Sequence, residues 1–125
     1  MILDTNAVSA LQAKDKRLVG VLAEEPVLVL NIISLGEYRY GIDGSRHHTE
    51  LLNWLDALVV RSEVLAPSLD TISHYSSIRH DLRKAGTPIP ANDMWIAALA
   101  RQHQMPVLSR DAHFDAVSGI LRREW

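Results

Sequence analysis

Apolar residues recur along this chain in two rhythms, short unbroken runs and longer stretches with a helical period, and the two alternate from one end to the other. Met1-Ile2-Leu3 is a run of the first kind and predicts a short buried strand. A helix is predicted directly after it over Thr5 to Gln12, where Ala7, Val8, Ala10 and Leu11 supply the apolar positions. Asp15 has the side chain of an N-cap and opens a second helix through Leu18, Val19, Val21 and Leu22 to Glu24, which Pro26 ends. Val27 to Leu30 is a continuous apolar run, the pattern of a parallel strand covered on both faces. Ser34, with Glu37 three residues later, has the form of a capping box that opens a helix through Tyr38, Tyr40 and Ile42.

The second half repeats the alternation. Thr49 to Val59 places Leu51, Leu52, Leu55, Leu58 and Val59 on one helical face. Val64-Leu65-Ala66 is a weak strand candidate. Asp70 to Ala85 is a helix with Ile72, Tyr75, Ile78 and Leu82 inward and Gly86 as its stop. Beyond Thr87-Pro88-Ile89-Pro90, Asn92 is expected to cap a helix to about His103 that is apolar nearly all round and therefore buried. Pro106 to Leu108 gives another strand, and the tail from Phe114 to Trp125 a short helix and an edge strand. Strands alternating with helices predict an α/β fold built on a mainly parallel sheet.

Composition narrows the function classes. At 125 residues with 47% apolar and 22% charged side chains, the chain is expected to form one domain, residues 1–125, with a real core. It contains no cysteine, which removes disulfides, thiolate ligands and a Cys nucleophile but leaves the redox compartment open. Its longest apolar stretch, Val27 to Ile33, is interrupted by Asn31 and falls far short of the about 18 residues a transmembrane helix requires. With Met1-Ile2-Leu3 leading straight into Asp4-Thr5-Asn6, no basic and then apolar signal segment is read, and the expected location is cytoplasmic. A net charge of −2 argues against a generally basic nucleic-acid surface and leaves room for a local basic strip.

Four acids, Asp4, Glu37, Asp93 and Asp111, are far apart in sequence, yet each stands where a predicted strand ends or a helix begins. Ligands of open parallel sheets gather beyond the carboxyl ends of the strands, so acids at those positions converge in the fold. Each also has a structural reading as a cap or a helix-dipole partner. Two carboxylates about 4 Å apart repel by about 4 kcal/mol at an effective dielectric of about 20, so a cluster of four calls for protons or cations. Mg²⁺ and Mn²⁺ take oxygen ligands and keep coordination positions for water and phosphate oxygens. Two such ions activate water and stabilise the leaving oxygen in an in-line displacement at phosphorus.

Asp4-Thr5-Asn6, Ser34-Leu35-Gly36-Glu37-Tyr38-Arg39-Tyr40-Gly41-Ile42, Asn92-Asp93-Met94-Trp95-Ile96-Ala97-Ala98 and Ser109-Arg110-Asp111-Ala112-His113-Phe114, in that order, resemble the PIN-domain ribonucleases. Within that family the likeness is to the VapC-type toxins of bacterial toxin–antitoxin pairs, and it covers essentially the whole chain. The resemblance implies a three-layer α/β/α domain with a mainly parallel sheet of about four to five strands. It implies further that Asp4, Glu37, Asp93 and Asp111 hold Mg²⁺ or Mn²⁺ for RNA hydrolysis, with Asn6 and Ser109 as polar support and Asp115 as an auxiliary acid. A homodimer and a small VapB-like antitoxin that blocks the acidic site are implied as partners. One departure is that the first strand begins at Met1, which shortens it.

Other residues are weighed against that centre. Arg39, Arg46, Arg79, Arg83 and Lys84 are candidates for RNA phosphate contact, although charge runs are usually solvated faces. His47, His48, His74, His80, His103 and His113 lack His-x-x-x-His spacing and read as surface residues, with His113 nearest the acids; no zinc site is assigned. Trp54, Trp95 and Trp125 read as packing residues. Leu35, Tyr38, Leu51, Leu52 and Leu55 are expected to offer an apolar surface to an antitoxin. Two rival functions remain: a non-catalytic RNA- or protein-binding module on the same fold, and a haloacid-dehalogenase-type phosphatase. The phosphatase chemistry needs a second acid where Asn6 stands.

Overall fold

The computed structural model describes residues 1–125. Its elements are β1 (Ile2–Leu3), α1 (Thr5–Gln12), α2 (Lys16–Leu22), β2 (Leu28–Asn31), α3 (Ile32–Asp43), α4 (His48–Val60), β3 (Ser62–Leu65), α5 (Leu69–Ala85), α6 (Ala91–His103), β4 (Val107–Leu108), a 3₁₀ turn (Ala112–Ala116) and β5 (Arg122–Arg123). All five strands are parallel, in the order β3-β2-β1-β4-β5. No helix is long and apolar enough to cross a membrane.

Successive strand residues point to opposite faces of a sheet, and that rule divides the core. Ile2, Val29 and Val107 enter one apolar cluster, while their neighbours Leu3, Leu30 and Leu108 enter the other. The first cluster is completed from α5 and α6 by Ile78, Leu82, Met94, Ile96 and Leu99. The second is completed from α1 to α4 by Val8, Leu18, Leu35, Leu55 and Leu58. Helices on both faces make the three-layer α/β/α arrangement, and each fully buried Leu or Ile adds roughly 1.5–3 kcal/mol of apolar burial. This is why the three central strands, β2, β1 and β4, read as apolar runs rather than alternating ones, while the edge strands β3 and β5 carry polar residues.

Several element ends differ from the sequence expectation. The helix expected to open with a Ser34–Glu37 capping box begins earlier, at Ile32, because Asn31 is its N-cap and accepts from Ser34 N–H at 2.8 Å. Glu37 therefore lies in the second turn. Asn92 is not a cap either: α6 starts at Ala91 behind Pro90, which puts Asn92 in the first turn. Ile72 is half exposed rather than inward. The α5 cap is Ser68, which leaves Thr71 buried, accepting from Ser68 N–H at 2.8 Å and donating to Gln102 Oε1 at 2.6 Å. Asp15 does cap α2, accepting from Arg17 and Leu18 N–H, and Gly86 closes α5 at φ 70°.

The apolar surface expected at Leu35, Tyr38, Leu51, Leu52 and Leu55 is largely core. Leu35 and Leu55 are buried, and the other three pack against the same cluster with Trp54. Exposed apolar side chains lie instead at positions such as Ile32 and Tyr40 on α3 and Leu69 and Ile72 on α5.

The strand order positions the site. From β1 the chain steps to β2 and β3 on one side, then returns past β1 to place β4 and β5 on the other. The reversal opens a crevice beyond the carboxyl ends of β1 and β4, the place where such sheets bind ligands.

Candidate metal centre

Four separate elements deliver the acids to that crevice. Asp4 follows β1 as the residue before α1, and Asp111 follows β4 before the 3₁₀ turn. Glu37 projects from α3 and Asp93 from the first turn of α6. Asp4 and Asp93 are buried, Asp111 is half-buried and Glu37 opens to solvent. A pocket of about 460 Å³ is lined by Glu37, Pro90, Ala91, Asn92, Asp93, Asp111 and His113, and no lysine or arginine lines it.

A polar scaffold fixes the innermost acid. Ser109 donates from Oγ to Asp4 Oδ2 at 2.7 Å and accepts from Asp111 N–H at 2.9 Å, so one hydroxyl ties two of the acids together. Asn6 donates from Nδ2 to Asp4 Oδ2 at 3.4 Å and to Ser109 Oγ at 3.1 Å, and accepts from Arg110 N–H at 3.3 Å. Beneath them, fully buried Asn31 donates to Leu3 C=O at 2.9 Å, which pins the end of β2 to the residue before Asp4.

Burial is the first reason that the Asp4, Glu37 and Asp93 carboxyls are pushed above their ordinary values. Mutual repulsion adds to it: Asp111 acts on Asp4, Asp4 and Asp93 act on Glu37, and Asp111 and Asp4 act on Asp93. The Ser109 hydroxyl opposes the shift at Asp4, and the His113 ring opposes it at Asp93. The four acids thus share one electrostatic neighbourhood.

The sequence reading placed His113 on the surface. Its ring is half exposed, yet Nδ1 lies 3.0 Å from Asp93 Oδ2 and 3.1 Å from Asp111 Oδ1. The hydrogen bond to Asp93 is the leading cause that raises the His113 pKa. The local signal was the Asp111-x-His113 spacing: Asp111 caps the 3₁₀ turn by accepting from His113 N–H at 2.9 Å, which brings the ring back over the carboxylate. One donor atom each from Asp93, Asp111 and His113 lies within 4.8 Å of the others. Thr5 Oγ1, beside Asp4, is buried without a hydrogen-bond partner, although near enough to Glu37 to oppose its shift. Clustered carboxylates, an imidazole and an unsatisfied hydroxyl form a donor set that fits a divalent cation.

The remaining candidates are dispersed. Asp115 is turned to β5, where both oxygens accept from Arg122 at 2.8 Å. Arg39 pairs with Asp43 at 3.1 Å, and Arg79 donates to Tyr75 Oη at 2.6 Å. Arg79 and Arg83 border a separate cavity with Leu82, Pro88 and Met94, while Arg46 and Lys84 are exposed. Trp95 stacks on Tyr75 at 4.0 Å and Trp54 lies 5.9 Å from Tyr38, both packing roles. Trp125 lies under Arg110 at 4.4 Å.

Comparison with known proteins finds relatives and solved structures that match nearly the whole chain. Ribonuclease VapC1 of Haemophilus influenzae (strain R2866) is 26% identical over 129 residues, spanning 99% of this chain and 96% of that protein. The tRNA(fMet)-specific endonuclease VapC of Shigella flexneri is 25% identical over 99 residues, 78% of this chain and 75% of that protein. Among solved structures, the DNA-bound VapBC from Salmonella typhimurium superposes with a TM-score of 0.85 at 25% identity, over 99% of this chain and 96% of that one. The PIN domain family matches residues 1–120. With its parallel five-stranded sheet and the acids gathered at the switch point, the chain belongs to the PIN domain family.

Proposed function

We propose that this protein is a divalent-metal-dependent endoribonuclease and the toxin of a type II toxin–antitoxin pair, with residues 1–125 working as one nuclease domain in the cytoplasm. The observation that carries the reading is the convergence of Asp4, Glu37, Asp93 and Asp111, from four elements, on one electrostatic neighbourhood, the last three lining a pocket that holds no lysine or arginine. Acids kept together at such electrostatic expense suit a cation-dependent step on an anionic substrate.

In this reading Asp4, Glu37, Asp93 and Asp111 hold Mg²⁺ or Mn²⁺. A cation held there would supply charge neutralisation of the phosphodiester and activation of water for attack on phosphorus. The side chains do the positioning. Ser109 and Asn6 keep Asp4 in one orientation, and Ser109 sets the Asp111 backbone. Asp93, with Asp4, orients the attacking water. Exposed Arg46 and Lys84, with Arg39, Arg79 and Arg83, contribute phosphate contacts along the strand. Asn6, bonded to Asp4 and Ser109, stands where a phosphatase of the rival class needs an acid.

The similarity to VapC proteins and to VapBC assemblies supports a VapB-like antitoxin as partner, a basic side chain of which would satisfy the same acids. The resemblance also implies a homodimer. The Shigella relative makes tRNA the first substrate to test.

The test is cleavage of tRNA and total RNA by purified protein with Mg²⁺, Mn²⁺ or EDTA. Cleavage should need a divalent ion and fall at least about hundredfold in Asp4→Asn and in Asp93→Asn. Cutting that survives both substitutions would place the chemistry elsewhere, and RNA binding without cutting would favour the non-catalytic module.

A further inference from the structure

His113 has a relation to the acids that neither the motif pattern nor the RNA chemistry requires. Asp111 Oδ1 accepts from the His113 backbone N–H at 2.9 Å and lies 3.1 Å from its Nδ1, so the turn itself directs the ring. The same Nδ1 reaches Asp93 Oδ2, on α6, at 3.0 Å. An octahedral shell with metal–ligand distances of about 2.1 Å sets adjacent ligand atoms about 3.0 Å apart. The two spacings from Nδ1 therefore match neighbouring corners of such a shell, and one donor atom from each of the three residues lies within 4.8 Å of the others.

Donor type then bears on the ion. Mg²⁺ is a hard cation that keeps its waters and binds through carboxylates, whereas imidazole favours first-row transition metals. Resting on the metal-nuclease reading above, we propose that His113 is a nitrogen ligand of this centre and biases it toward a first-row transition cation such as Mn²⁺ over Mg²⁺. His113 then joins Asp93 and Asp111 as a mixed oxygen and nitrogen set, while Asp4 and Glu37 complete the oxygen side. The alternative occupant of this geometry is a plain ion pair, in which the imidazolium substitutes for the cation and leaves when a cation binds.

Pulsed electron paramagnetic resonance of Mn²⁺ bound to the chelator-stripped full chain separates the two. A ligating imidazole gives a ¹⁴N hyperfine coupling, expected in the native protein and absent in His113→Gln. Competition titration gives the second readout: the preference for Mn²⁺ over Mg²⁺ should fall about tenfold or more in His113→Gln. It should fall likewise in His113→Asp, which restores an all-oxygen set. The ring sits on an exposed turn, so these variants should fold, and the native coupling is read without any variant. Bound Mn²⁺ with no nitrogen coupling in the native protein, or an unchanged preference in His113→Gln, overturns the proposal while leaving the four-acid centre standing. Failure of the native chain to bind either ion overturns the proposal and the metal-centre reading together.

Discussion

Asp115 and His113 show how little distance along the chain says about membership of a site. Asp115 lies four residues beyond Asp111 and would face the same way on an α-helix, but residues 112–116 form a tighter 3₁₀ turn. Its carboxylate is consequently delivered to Arg122, which also donates to Glu124 Oε2 at 3.1 Å and to Ser109 C=O at 3.2 Å. Arg122 thereby ties β5 to the backbone of the site. Asp115→Asn is expected to lower the melting temperature of the protein. It should leave Mn²⁺ affinity, measured by calorimetry, within about threefold, less than 1 kcal/mol of binding free energy. A larger loss would make Asp115 a ligand after all.

Helix beginnings decide where the remaining acids point. Asn31 looked like an interruption in an apolar run; it is the cap that ends β2 and starts α3 without an intervening loop. A buried amide at that junction serves three partners at once, Ser34 N–H, Ser34 Oγ and Leu3 C=O. Removing it deprives α3 of its cap and takes from the Leu3 C=O and from Ser34 the buried hydrogen bonds they make with the amide. Asn31→Ala should therefore cost about 2–3 kcal/mol, read as a shift of the urea midpoint. Because Leu3 precedes Asp4 and α3 carries Glu37, the same variant should also weaken metal binding. The starts of α3 and α6 were misplaced in the sequence reading for a shared reason. Ser34 and Asn92 are good capping residues, and local preference does not reveal that Asn31 and Pro90 already occupy the cap positions.

Across the whole molecule, gathering the acids makes stability depend on pH and on cations. Asp4 and Asp93 have folded pKa values above 3.8, and Glu37 above 4.5. In the window above those values the folded chain binds protons that the unfolded chain has released, so stability falls as pH rises through it. His113, raised from 6.5, contributes stability that is complete below 6.5 and lost as pH climbs through its folded value. Both effects have the same sign. The melting temperature of metal-free protein should decline from mildly acidic to neutral pH. Mn²⁺ needs the deprotonated donors, so its stabilisation should grow over the same interval, reaching about 2.7 kcal/mol at a hundredfold excess over Kd. Melting curves with and without Mn²⁺ that separate at acid pH and merge at neutrality would contradict this assignment of charge.

Apolar periodicity was enough to order the strands and helices along the chain, because buried runs and helical faces are local patterns that the core enforces on both sides of the sheet. It also marked Asp4, Asp93 and Asp111 at element boundaries visible in the residues themselves, whereas Glu37 was marked by a capping box that the fold replaces with the Asn31 cap. The strand order β3-β2-β1-β4-β5 was not local, and it alone creates the crevice in which those boundaries meet. Tertiary packing likewise decided that Leu35 and Leu55 are core and that Ile32 and Tyr40 are exposed. It also seated His113 Nδ1 on Asp93, a contact between residues 20 apart. Such contacts depend on how α6 and the turn after β4 lie across the sheet, and two segments separated in sequence carry no record of their distance in space.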